Sequence, residues 1–180
     1  MEAIKITEKP HEDEKYEIIS GAKIIKSYTT PTHNEIVSEI GSRFRDKIRK
    51  EKRSCKVFQE NVALYCGEFK AKDKNDFYMP DVMVVCDATE EDIREDGVHK
   101  VPVFVCEVLS PSTVLLDFNQ KKRTYLEIGV EEYWILDPDN KQVTIHKLED
   151  HYLGELVALD HPVYTMTGNV EIDLRNIIGN

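Results

Sequence analysis

The sequence predicts an α/β domain in which a mixed central β-sheet is flanked by two main helices, with additional β-hairpins. Three observations carry this expectation. Short apolar, β-rich runs recur between turn signals. Two segments have helical spacing instead, and each begins close to a proline. Two of the apolar runs, Tyr78–Cys86 and Val101–Ser110, contain a carboxylate, Asp81 and Glu107.

At 180 residues the chain is expected to form one domain, 1–180, with residues 1–15 loosely held. Tyr16–Ile19, Ser20-Gly21 and Ala22–Tyr28 read as a hairpin. Its facing is not clean, since Ala22, Ile24 and Lys26 alternate with Lys23, Ile25 and Ser27. Pro31-Thr32-His33 opens the first helix, with His33, Val37, Ile40, Phe44 and Ile48 as its stripe. Gly41 interrupts that stripe and suits close packing. Cys55–Tyr65 reads as a strand and Gly67–Asn75 as a polar loop. The Asp81 strand follows. Asp87–Lys100 is acidic and is expected to be an exposed connection with one helical turn. After the Glu107 strand, Pro111-Ser112-Thr113 breaks the chain, and Ser112 or Thr113 caps a helix to about Ile128, stopped by Gly129. Glu132–Leu136 and Gln142–His146 form a hairpin across Asp137-Pro138-Asp139-Asn140. Trp134 lies in the first of these strands and reads as core. The tail from Gly154 is expected to add one strand and a short terminal segment.

Hydrophobic residues make up 41% and charged residues 32% of the chain, which fits a globular protein and excludes a disordered one. No apolar run approaches the roughly 18 residues of a membrane span, so no membrane partner is expected. Met1-Glu2-Ala3-Ile4-Lys5 lacks a basic-then-apolar signal, and a cytoplasmic location is expected. Cys55, Cys66, Cys86 and Cys106 form no C-x-x-C pair and are expected to be buried, reduced thiols.

The net charge of −10 argues against loose, whole-surface binding of nucleic acid. The charge is nevertheless uneven. Eight basic residues fall between Arg43 and Lys56, opposed only by Asp46 and Glu51. Arg49, Lys50 and Arg53 either track phosphates or belong to a solvated helix face.

An ionised carboxylate inside an apolar run is costly unless something compensates it. Asp81 and Glu107 are expected to meet on adjacent strands, where a divalent cation would stabilise both. Asp117, Lys121 and Tyr125 fall at i, i+4 and i+8 on the next helix and share one face. Lys121 is either an ordinary partner of Asp117 or a lysine that swings back to the two acids. Lys122 competes for that role; the shared face favours Lys121.

Pro80-Asp81, Glu107 and a nearby lysine resemble the PD-(D/E)XK nuclease constellation. More specifically, Glu107-Val108-Leu109-Ser110-Pro111-Ser112-Thr113, then Asp117, Lys121 and Tyr125, then Gly129–Pro138 resemble the Uma family of restriction endonucleases. The N-terminal element, Tyr16–Gly21 followed by a helix opened by His33, is similar too. The resemblance implies a restriction-endonuclease-like fold and metal-dependent hydrolysis of DNA phosphodiesters. It further implies Mg²⁺ or Mn²⁺ held by Asp81, Glu107 and the Val108 carbonyl, with Lys121 beside them. Leu109 stands where the parent nuclease pattern has lysine, so the lysine is displaced to the following helix.

His33 either caps and packs its helix or faces the cleft, and Asp117 either pairs with Lys121 or touches the site. Glu35 and Glu39 either supply a further acid or, the favoured reading, form solvated helix surface. A duplex cutter often uses two active sites, which makes a symmetric homodimer plausible. Two other readings stay open: a catalytically inactive nuclease fold serving as a nucleic-acid-binding or assembly module, and hydrolysis of another phosphorylated substrate.

Overall fold

A computed structural model of the chain describes residues 15–26, 28–70, 74–110 and 116–179. The order of elements is β1 (Tyr16–Ile19), β2 (Ala22–Ile25), α1 (Pro31–Glu51), β3 (Cys55–Gln59), β4 (Val82–Cys86), β5 (Ile93–Arg94), β6 (Gly97–Val98) and β7 (Phe104–Val108). Then come α2 (Lys122–Ile128), β8 (Glu132–Asp137), β9 (Gln142–Lys147), β10 (Glu155–Ala158), β11 (Val163–Tyr164), β12 (Glu171–Ile172) and α3 (Arg175–Ile178). A π-helical turn, Leu116–Lys121, leads into α2.

Six strands form the central sheet in the order β10-β9-β8-β7-β4-β3. Only β7 and β8 run parallel, joined by the α2 crossover; the other pairs are antiparallel. Alternation along the central strands divides the core. Val82, Val84, Phe104, Cys106, Trp134 and Leu136 face α1 and the C-terminal elements. Met83, Val85, Val105, Tyr133 and Ile135 face the other way, toward Tyr125 and Ile128 of α2.

Helix α1 starts where the sequence places it. The Thr30 hydroxyl accepts the His33 N–H at 3.2 Å, and Pro31 occupies the first turn, where its missing N–H costs nothing. Gly41 permits the close packing expected of it. A Cβ there would meet the Gln59 amide at 2.5 Å, and that amide donates to the Val37 carbonyl at 2.6 Å. The helix is thereby tied to the end of β3.

Several expectations are corrected. The strand beginning at Cys55 stops at Gln59, because Glu60 and Asn61 take φ of 31° and 56°, outside the strand region. Segment Asp87–Lys100 forms the β5–β6 hairpin and contains no helical turn. Gly97 seats that hairpin so closely on Ala63 that a Cβ would lie 2.4 Å from the Ala63 carbonyl oxygen. Cys55 and Cys86 are not free thiols: they are cross-strand partners in the β3–β4 register and form a disulfide. Cys66 and Cys106 are buried and free, as expected. The tail holds three short strands and α3, more than the one strand expected. The expected caps Ser112 and Thr113, and residues 1–14, lie outside the described residues. Gly129 ends α2 in the left-handed conformation, as read. Among the described residues no helix is long and apolar enough to cross a membrane.

Two predictions follow from the packing. The disulfide joins residues 31 apart in sequence. In the chain-entropy picture a loop of that size is worth about 3–4 kcal/mol. A reductant should lower the urea midpoint accordingly, and a Cys55→Ser/Cys86→Ser variant should start from the lower value and ignore the reductant. The second concerns His146, buried on β9, whose Nδ1–H donates to the Tyr152 carbonyl at 3.1 Å. Burial, then the Lys122 charge, holds its pKa down at about 4 from 6.5, against the pull of that carbonyl. Between those values the unfolded chain binds the proton and the folded one does not. Stability from this group is therefore complete above pH 6.5 and lost as pH falls toward 4. Urea midpoints measured across that window should fall less steeply for His146→Phe than for the natural protein.

Candidate active site

The β4–β7 register sets Val82 opposite Cys106, so one further step along the ladder brings Asp81 level with Glu107. The two acids expected to meet therefore do so at one end of the central pair. Both line a cavity of about 480 Å³, with Glu17, Lys26, His33, Val108 and Lys121 also in its wall.

Glu107 is buried. Its Oε1 accepts from the Tyr125 hydroxyl at 2.9 Å and lies 3.0 Å from Lys121 Nζ. The same ammonium stands 3.2 Å from Glu17 Oε1 and 3.3 Å from Asp117 Oδ1. Lys121 is only 1% exposed, yet burial does not neutralise it: three surrounding carboxylates outweigh the loss of hydration and hold its pKa well above the ordinary lysine value. Glu107 moves the other way. Burial, reinforced by the Asp81 and Asp117 charges, outweighs Lys121 and pushes it up to about 8.

Asp81 is also buried, but its partners are arranged to keep it ionised. The Val108 N–H donates to Oδ2 at 2.8 Å, and Lys26 Nζ lies 3.6 Å from Oδ1. Burial opposes the charge; the His33 imidazole and the Lys26 and Lys121 charges more than offset it, and the pKa is lowered. Lys26 is held in place by donating to the Met79 carbonyl at 2.8 Å, and Glu17 by accepting the Met79 N–H at 2.7 Å. One peptide segment thus positions a cation and an anion of the site.

His33 enters from the first turn of α1. Its Nε2 lies 3.5 Å from Asp81 Oδ2 and 3.7 Å from Glu60 Oε1. Neither contact has hydrogen-bond geometry, and the atom is buried without a hydrogen-bond partner. One ligand atom from each of His33, Glu60 and Asp81 falls within 4.8 Å of the others.

Of the residues singled out in the sequence, Asp81, Glu107, Val108, Lys121, Asp117 and His33 are brought together. Lys121, rather than Lys122, is the lysine at Glu107. Arg49, Lys50 and Arg53 are exposed and stand apart from the cavity. Arg49 is 16 residues beyond His33, about 24 Å along the helix axis at 1.5 Å per residue. Leu109, at the position of the parent lysine, lines the cavity wall. Sequence reasoning missed Glu17, Lys26 and Glu60. Glu17 has the strand parity of Ile19, and Lys26 that of Ala22 and Ile24, a signal that was legible. Glu60 follows a strand end and gave none.

The Uma2 family model, described as "Putative restriction endonuclease", matches residues 2–167. The chain belongs to the Uma2 family. No curated protein matches it. A solved structure from Anabaena variabilis ATCC 29413, described as a "putative nuclease belonging to DUF820", is similar at 20% identity. The likeness covers 94% of this chain and 93% of that chain, with a TM-score of 0.71, and shows a shared fold. The restriction-endonuclease-like architecture expected from the sequence is therefore present, and Uma2 membership supports a nuclease-like function.

In this Uma2 chain Lys121 holds the acids as much as they hold it. Replacing it by methionine strands buried carboxylates without their counter-charge. Lys121→Met should lose about 3–5 kcal/mol of stability, read from urea unfolding at neutral pH. Lys122→Met should lose little by the same measurement.

Proposed function

We propose that the protein is a metal-dependent endonuclease that hydrolyses DNA phosphodiester bonds. The observation that carries this reading is Lys121 Nζ at 3.0 Å from Glu107, in a cavity whose wall also holds ionised Asp81.

The donor set fits a divalent cation. Buried carboxylates outnumber the two ammonium groups beside them, and burial, reinforced by the Asp81 and Asp117 charges, raises the Glu107 pKa. Hard carboxylate oxygens suit Mg²⁺ or Mn²⁺. In this reading Asp81, Glu107 and the Val108 carbonyl hold the ion, which when bound polarises the phosphate and activates a water. The chain's own groups do the rest. Lys121 presents a fixed positive charge to negative charge developing on the phosphate oxygens, and burial keeps that charge strong. Tyr125 and the Val108 N–H fix the rotamers of Glu107 and Asp81. Arg49, Lys50 and Arg53 hold flanking phosphates of the duplex.

A second reading has its own observation. The cavity already supplies Lys121 with three carboxyl partners, and the basic end of α1 is exposed, which is what a binding module without cleavage would need.

The test is cleavage of supercoiled plasmid with Mg²⁺ or Mn²⁺, using the natural protein and Asp81→Asn. The natural protein should nick the plasmid and the variant should be slower by about 100-fold or more. Equal cleavage by both would mark a contaminant. No cleavage, together with salt-steep DNA binding that flattens when Arg49, Lys50 and Arg53 are neutralised, would establish the binding module instead.

A further inference from the structure

We infer that His33, Glu60 and Asp81 form a second cation position beside the Asp81–Glu107 pair, and that its nitrogen donor selects a first-row transition ion such as Mn²⁺ over Mg²⁺. The inference deepens the metal-dependent reading by adding a site and a selectivity. Ion binding at these three residues is measurable whether or not DNA is cut.

Three features of the fold bring the donors together. The α1 cap fixes the turn that carries His33, with the Thr30 hydroxyl accepting its N–H. The chain leaves β3 through the positive-φ residue Glu60, whose backbone N–H donates to the carbonyl of Asp81 at 3.1 Å. That bond sets the Glu60 and Asp81 side chains side by side. The Gly41–Gln59 contact then fixes the approach of α1 to the residue just before Glu60.

The spacing is close to that of a ligand set. Donors about 2.1 Å from one ion stand about 3.0–3.4 Å from one another. His33 Nε2 is 3.5 Å from Asp81 Oδ2 and 3.7 Å from Glu60 Oε1, so the two histidine edges need contract by only a few tenths of an ångström, and one donor atom from each of the three residues already lies within 4.8 Å of the others. Nε2 is a buried polar atom without a hydrogen-bond partner, a costly arrangement that coordination relieves. His33 is 8% exposed, while the Glu60 side chain is 22% exposed and offers the side open to an entering ion. Lys121 and Tyr125 both hold Glu107 Oε1, whereas among the described residues no ammonium group is paired with Glu60. The more accessible carboxylate is thus on the histidine side. Mg²⁺ favours an all-oxygen shell and gives up water reluctantly; imidazole favours transition ions.

The experiment measures Mn²⁺ and Mg²⁺ binding to the full chain by calorimetry, and ¹⁴N coupling to bound Mn²⁺ by pulsed electron paramagnetic resonance. The natural protein should show histidine nitrogen coupling. His33→Phe should abolish it, and both His33→Phe and Glu60→Gln should weaken Mn²⁺ on the order of 10–100-fold, the loss typical even of outer partners of a metal site. Mg²⁺ binding should change little, and Glu107→Gln should retain the nitrogen coupling. Circular dichroism and urea midpoints establish that each variant is folded; Glu60→Gln, at a partly exposed position, carries the test if His33→Phe is not. Absence of nitrogen coupling in the natural protein, or Mn²⁺ affinity unchanged in Glu60→Gln, overturns the inference. Nitrogen-coupled Mn²⁺ with no plasmid cleavage would sustain the inference and sink the endonuclease reading.

Discussion

An ammonium group sealed inside a protein must gather negative charge around it, and Lys121 gathers three carboxylates from three elements. Glu17 comes from the N-terminal hairpin, Glu107 from the central sheet, and Asp117 from the π-helical turn. Removing the charge would leave each acid to bear its own desolvation, a cost far beyond that of a surface ion pair. The lysine therefore both links the hairpin's Glu17 to the sheet's Glu107 and presents its charge to the cavity. A group with both duties is held rigidly, and rigid placement is what electrostatic stabilisation of a reacting phosphate requires.

The opposite wall is built on different physics. Here the helix α1, packed through Gly41 against Gln59, brings an imidazole to Asp81 without completing a hydrogen bond. Asp81 is shared between the two walls. Its Oδ2 takes a backbone N–H from β7 and faces His33, while Oδ1 faces Lys26. The cavity thus has a wall of satisfied ion pairs and a wall with an open donor, joined through one carboxylate.

Much of this was legible in the sequence, for reasons that differ by element. Helix α1 was read from its stripe and its proline because capping and amphipathicity are local. The β8–β9 hairpin was read from Asp137-Pro138 because turn chemistry is local as well. Asp81 and Glu107 stood out because acids inside apolar runs demand a partner. The failures are non-local. The pairing of Cys55 with Cys86 depends on the β3–β4 register, which no residue near either cysteine announces. Glu60 joins the cluster through a bend that ends its strand, and Gly97 sits where it does because Ala63 approaches it. Lys26 and Glu17 fall between these cases. Strand parity was compatible with an inward Glu17 and Lys26, but only their partners, Lys121 for Glu17 and Asp81 for Lys26, explain why two charges point into the protein.

The disulfide has a topological consequence. Bonding Cys55 to Cys86 makes the chain between them a covalent ring, and both Glu60 and Asp81 lie on it. Two of the three donors of the His33 cluster are therefore members of one macrocycle, stapled at the far end of the strand pair that presents them. Opening the ring would leave the same groups in the chain but return configurational freedom to the segment that carries them. Preorganisation of the donors is thus coupled to the oxidation state of a bond that touches none of them. In a compartment that reduces thiols the same two carboxylates would sit on a looser segment.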